Sequence, residues 1–234
     1  KKDELIEELI KEDVVSIYQN INKSRSSVTY GKDYKLLYGQ DKLRDDLGDY
    51  EFNLSPKSFF QVNRIQAESL YEKAIDYLDL NNQDLVYDLY SGIGSISLYL
   101  AKKAKKVYGI EVVEEAVEDA KENAKINGIN NVDFLVGKAE EVFPRLLDEG
   151  LRANKIVLDP PRKGCEREVL EAIVDLKPER IVYVSCNPST MARDVKVLVE
   201  AGYKIKEVQP VDMFPHTAHV EATILMTYCG SDKE

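Results

Sequence analysis

Cys186, in the segment SCNPST, is the side chain of this sequence best placed for covalent chemistry. The run RIVYVS (180–185) before it has the apolar, β-branched make-up of a buried strand, and Pro188 just behind it fits the first turn of a helix. A thiol at such a junction lies near the unpaired amides of a helix N-terminus, which favour the nucleophilic thiolate. An isolated buried cysteine more often only packs. Its place at a strand's carboxyl end, where open α/β sheets bind ligands, argues for function instead.

Two carboxylates could work beside it. Glu221 opens the last apolar run, after the segment DMFPHTAHV that holds both histidines of the chain, His216 and His219. Metal binding there would need a further ligand and clearer spacing, so no metal site is expected. A carboxylate tuned by burial can act as a general base. Asp159 stands in DPPR (159–162), at the end of another apolar run, where two prolines stiffen the loop and hold the acid at the same rim.

Other residues suit a bound cofactor. In DLYSGIGSIS (88–97), Gly92 and Gly94 fall between a strand and a helix, where the missing side chains let backbone approach a ligand. Two glycines do not complete the three-glycine dinucleotide fingerprint, so a nicotinamide cofactor is poorly supported. Glu111, ending the next apolar run about 20 residues on, is placed to accept hydrogen bonds from both ribose hydroxyls of an adenosine cofactor.

The elements that must position these residues alternate regularly. Strand-like runs fall at 85–90, 106–111, 132–136, 155–159 and 180–185, and helical stretches at 94–103, 113–127, 138–148, 166–176 and 189–201 separate and follow them. Such alternation predicts right-handed βαβ units in a mainly parallel sheet covered on both faces. The runs 203–211 and 219–228 have no helix between them and should close the sheet as an antiparallel hairpin. A helix over 64–78 precedes the sheet, after a Ser-Pro and aromatic junction at 54–63. In residues 1–50, Leu5, Ile6, Leu9 and Ile10 have helical spacing, and SVTYGKDYKLLYG (27–39) reads as short strands about a glycine turn.

The 234 residues suffice for a large core, and no apolar run approaches the roughly 20 residues of a membrane span. The charged N-terminus lacks a signal peptide's apolar core, so a cytoplasmic protein is expected. Three cysteines fit neither a disulfide framework nor a paired metal site; Cys165, after a basic turn, has room to be exposed but nothing to pair with, and Cys229 is incidental. A net charge of −10 is wrong for a general polyanion binder. The first residue is not Met and the pattern starts midway, as expected of a piece of a longer protein.

SFFQVN (58–63), DLYSGIGSIS, GIE (109–111), LDPPRKG (158–164), YVSCNPST (183–190) and DMFPHTAHVE (212–221) together resemble the RNA (uracil-5-)-methyltransferase family, in order and spacing, over about residues 50–228. The combination of SCNPST with HVE is the specific part; DPPR is shared more widely. FFQVN and DMFPHT are more similar to the 23S rRNA branch than to the tRNA branch. The resemblance implies a Rossmann-like, class I S-adenosylmethionine-dependent methyltransferase fold over 51–234, a mainly parallel seven-stranded sheet with a C-terminal antiparallel hairpin. Residues 1–50 would be the remnant of a central β-rich domain. Members carry an N-terminal TRAM RNA-binding domain, and some a cysteine-ligated iron–sulfur cluster; this chain shows neither.

The resemblance also implies roles. Cys186 would add to C6 of a uracil and Glu221 would remove the C5 proton after methylation. Gln61, Tyr90, Glu111 and Asp159 match cofactor-binding positions for S-adenosyl-L-methionine, Gly92 and Gly94 shape its loop, and Asp159 would also touch the uracil edge. The implied partner is RNA, 23S rRNA first and tRNA second, served by a monomer. Methylation of an exocyclic nitrogen would need no thiol, and cytosine-5 methylation would need a second cysteine motif that is absent.

Overall fold

Runs that are apolar on both faces become the central strands of a sheet, and the computed structural model, which describes residues 2–23, 31 and 33–230, shows where each one goes. The elements in order are α1 (Lys2–Ile10), β1 (Ser16–Ile21), β2 (Asp33–Gly39), β3 (Leu43–Leu47), β4 (Tyr50–Leu54), α2 (Arg64–Leu78), β5 (Leu85–Leu89), α3 (Ser95–Ala101), β6 (Lys106–Glu111), α4 (Glu114–Ile126), β7 (Val132–Val136), α5 (Ala139–Asp148), β8 (Lys155–Leu158), α6 (Arg167–Leu176), β9 (Arg180–Ser185), α7 (Pro188–Glu200), β10 (Tyr203–Val211) and β11 (Glu221–Tyr228).

One sheet of seven strands runs in the order β10-β11-β9-β8-β5-β6-β7. β5 pairs in parallel with β6 and β8, β6 with β7, and β8 with β9, while β11 is antiparallel to both β9 and β10. The expected parallel sheet with a closing hairpin is therefore the one observed. Strand order reverses between β5 and β8, the switch point at which such sheets open a crevice.

Period-two alternation splits the core. Val86, Val107, Val157, Val182, Val184 and Leu225 face α2, α3 and α4, whereas Tyr87, Ile110, Ile156, Ile181, Tyr183 and Ile224 face α5, α6 and α7. A buried ion pair, Lys155 Nζ to Asp84 Oδ2 at 2.8 Å, ties β8 to the turn before β5. Burial opposes ionisation of Asp84, but bonds from Lys155, Asn154 and the Asn81 amide hold it below its ordinary range.

The first fifty residues contain more strand than expected. β1 and β2 form an antiparallel ribbon, and α1 buries no side chain. The segment 24–30, which holds part of the run read as strand at 27–39, lies outside the described residues; Asp33–Gly39 is strand. β3 and β4 pair across residue 50, and Leu47, Tyr50 and Phe52 enter the core beside α2. The Asn53 and Glu51 amides donate to Asn123 Oδ1 of α4 (2.7 Å) and to Oδ1 of its C-cap Asn127 (3.0 Å), which fixes the hairpin on the helical layer.

Candidate active site

The carboxyl ends of β5, β6, β8 and β9 open into a cavity of about 980 Å³, at the upper end of the range for small-molecule sites. Of the candidate catalytic and cofactor-binding residues, all except Gly94 line it: Gln61, Tyr90, Gly92, Glu111, Asp159, Cys186 and Glu221.

One half of the cavity is built around backbone. Tyr90 follows β5 at φ +72°, a left-handed conformation that costs a non-glycine residue energy and turns the chain sharply. Gly92, at φ +54°, would direct a Cβ into open space, so nothing in the protein stands between this peptide and a ligand. Gly94 works differently: at φ +82° a Cβ would lie 2.7 Å from Phe134 Cζ, so the glycine lets α3 begin tight against β7. Glu111 Oε2 accepts from the Gly92 amide (3.0 Å) and Oε1 from the Val113 amide (2.8 Å). Each oxygen keeps a second lone pair for a diol.

Gln61 arrives from the 54–63 junction. The Ser55 amide and Ser58 hydroxyl both donate to buried Asp119, and Asn63 caps α2 through the Gln66 amide (3.3 Å). Between these anchors Gln61 is buried, and its Oε1 has no partner within the protein. Ser91 Oγ and Asp88 Oδ1 are likewise buried and unpartnered. Unmet polar atoms near an open glycine peptide and an acid with free lone pairs suit an adenosine and amino-acid ligand of S-adenosylmethionine's kind.

The other half holds a thiol and two carboxyl groups. Asp159 lies one residue past β8 and Cys186 one past β9. On the β9–β11 ladder Ala222 faces Ser185, so Glu221 and Cys186 stand side by side at the next step. β11 lies between β9 and β10, not at the sheet's edge, and Glu221 is only 4% exposed.

Burial sets the charge state of this half. It pushes Asp159 up to about 8, with Glu221 and Asp88 adding like-charge repulsion. Burial likewise lifts Asp88 to about 7 against the hydrogen bond from Ser97. Glu221 is raised by burial and partly relieved by Arg162. Cys186 is raised too, first by burial and then by Glu221 and Asp159. The thiolate stabilisation expected from the α7 N-terminus is therefore outweighed: two carboxyl groups and lost solvation act more strongly than helix amides.

Sequence reasoning missed the residues that hold the DPPR loop. Pro161 O accepts from the Gly164 amide (2.8 Å), making a turn, and Arg162 O accepts from Asn187 Nδ2 (3.0 Å) and Thr190 Oγ1 (3.1 Å). Buried Asp194 accepts from the Cys165 amide (2.8 Å) and the Tyr183 hydroxyl (2.7 Å). Arg193 Nη2 donates to Lys163 O (2.9 Å). Asn187, Thr190 and Asp194 recur at i, i+3 and i+7, a polar stripe on α7 that could have been read as a contact face. Cys165, which its basic turn left room to be exposed, is buried, and burial lifts its thiol to about 12. Among the described residues no group of His, Cys, Asp or Glu could hold a metal ion, and no helix is long and apolar enough to cross a membrane.

A parallel sheet extended by a reversed terminal hairpin, with a glycine turn after β5 and an acid ending β6, defines the S-adenosylmethionine-dependent methyltransferase fold. An rRNA methylase of Streptococcus thermophilus shares that fold at a TM-score of 0.55 and 15% identity, over 70% of this chain and 96% of that one. The chain belongs to the tRNA (uracil-5-)-methyltransferase family, whose model matches residues 6–229. It is 54% identical over its whole length to 51% of a Clostridium tetani protein described as an uncharacterized RNA methyltransferase. An Oceanobacillus iheyensis protein of the same description is 56% identical over 97% of this chain and 50% of its own length. The chain thus spans about half the length of these relatives. The Pyrococcus abyssi tRNA (uracil-54, C5)-methyltransferase, solved with S-adenosyl-L-homocysteine, is similar at 37% identity and TM-score 0.75, over 92% of this chain and 51% of that one.

Proposed function

We propose that this chain is the catalytic part of a cytoplasmic enzyme that methylates C5 of a uridine in RNA, with 23S rRNA as its substrate. The observation that carries the reading is the side-by-side placement of Cys186 and Glu221 at one end of the β9–β11 ladder, in the wall of a cavity whose other half suits an adenosine cofactor. When bound, S-adenosylmethionine supplies an electrophilic methyl group. Glu111 would hold its ribose, and Gln61, Tyr90 and Asp159 its amino-acid end, against the open peptide of Gly92.

C5 of uracil is too weak a nucleophile to take that methyl unaided. Attack of the Cys186 sulfur on C6 forms an S–C6 bond and moves the C5–C6 π electrons onto an enolate, which makes C5 the nucleophile. After methylation Glu221 removes the C5 proton, C5=C6 re-forms, and the Cys186 sulfur leaves with its electron pair. Glu221, raised by burial, is a stronger base than a solvated carboxylate once ionised. The base must be unstacked to enter the cavity, which favours loop substrates.

Preference for 23S rRNA rests on the resemblance of FFQVN and DMFPHT to that branch. A tRNA uridine is the second reading, favoured by the likeness to the Pyrococcus abyssi enzyme. The chain, with S-adenosylmethionine, is incubated with 5-fluorouridine-substituted 23S rRNA hairpins and tRNA arms, and denaturant-resistant complexes are resolved on a gel. Fluorine at C5 blocks proton removal, so a covalent complex should accumulate with the rRNA and vanish in Cys186→Ala. Trapping on tRNA alone would move the substrate to the second reading. A complex that survives Cys186→Ala would sink the nucleophile assignment.

A further inference from the structure

Three groups that are anionic when ionised converge on one side of the cavity: Cys186, Asp159 from the loop after β8, and Glu221 from β11, with Asp88 of β5 behind Asp159. A sulfur that must ionise or carry charge among them needs a compensating cation. Of the cations lining the cavity, Lys138 is engaged by Glu141 at 2.8 Å and Lys163 by Glu166. Arg162 makes no ion pair among the described residues. Its Nη2 lies 3.3 Å from His219 Nδ1 instead. Arginine can only donate, so the imidazole nitrogen accepts, and the pair bridges the DPPR loop to the 212–220 loop across the cavity mouth.

Its anchor is rigid although its side chain is exposed. Two prolines precede it, and its carbonyl is held by Asn187 and Thr190. Asn187 directly follows Cys186, so the residue carrying the cation and the residue carrying the nucleophile are pinned to each other.

We propose that Arg162 is a further functional residue of this site, the cation that faces the Cys186 sulfur and the Glu221 carboxyl and stabilises the sulfur anion in the attack on the base. This rests on the function proposed above. Its test does not need RNA.

Alkylation of each cysteine by iodoacetamide is followed by peptide mass spectrometry from pH 6 to 10, for wild type, Arg162→Gln and Arg162→Lys. Loss of the cation should move the Cys186 profile to higher pH and slow alkylation at pH 8 roughly tenfold. Arg162→Lys, which keeps the charge, should stay close to wild type. Exposed Cys229 is the internal reference and should not change. In uridine methylation, Arg162→Gln should lower kcat with KM for S-adenosylmethionine unchanged. Superimposable Cys186 profiles in wild type and Arg162→Gln would overturn the proposal. A shifted profile in a protein that methylates no uridine would leave Arg162's role at the sulfur standing and remove the uracil-5 reading.

Discussion

Asp159 carries a charge state that the surrounding apolar wall decides. Its pKa in the folded protein, about 8, lies above the unfolded value near 4. The native state therefore holds this proton more tightly than the unfolded chain does. That contribution to stability is complete below about pH 4 and is lost as the pH rises through 8. Asp159→Asn is uncharged throughout and escapes the loss. The melting temperature of the variant, minus that of wild type, should climb between pH 4 and 8 and then level off. A climb of at least about 4 °C is expected, as 1–2 kcal/mol gives in a chain of this length. Calorimetry at half-unit steps measures it, and a flat difference would mean that Asp159 is as well solvated in the fold as outside it.

At the scale of elements, α7 grips the DPPR loop through one buried carboxylate. Removing Asp194 leaves the Cys165 amide and the Tyr183 hydroxyl without an acceptor in a dry place. Asp194→Ala should cost about 2–3 kcal/mol in urea unfolding, and speed hydrogen exchange at the Cys165 amide. Asp194→Asn keeps one oxygen for those two donors and should lose about half as much. Equal losses in the two variants would show that charge, not the acceptor, is what the loop requires. This contact was not legible in the sequence, since Cys165 and Asp194 meet only after α6, β9 and half of α7 have folded between them. The βαβ frame was legible because β8 and β9 are nearly uninterrupted apolar runs, buried on both faces. β3 and β4 were not: LRDDLGDYEFNL mixes acids into the pattern, and only Leu47, Tyr50 and Phe52 reach the core. Cys186 and Glu221 were legible as residue types at strand ends. The raised thiol was not, because it depends on which acids arrive from β8 and β11.

For the molecule as a whole, a net charge of −10 limits how RNA can be held. Arg162, Lys163 and Lys138 at the cavity mouth are few, and the two lysines are already paired with Glu166 and Glu141. Affinity of this chain for an RNA hairpin should fall only weakly with salt, with log K against log[salt] shallower than about −3. Fluorescence anisotropy over a salt series reads the slope directly. A slope as steep as about −6 would require a broad basic face, against a net charge of −10.

The ladder between β9 and β11 has a further consequence. Hydrogen bonds between strands, rather than the nine-residue path from Asp212 to Val220, set Glu221 beside Cys186. Lengthening or shortening that path reshapes the mouth and leaves the pair where it is. One residue added inside β11 would instead turn Glu221 to the opposite face of the sheet. On the function proposed above, chemistry and selectivity would be written in separable parts of the chain, so that a change in the path alone would revise which RNA is admitted and leave the reaction intact.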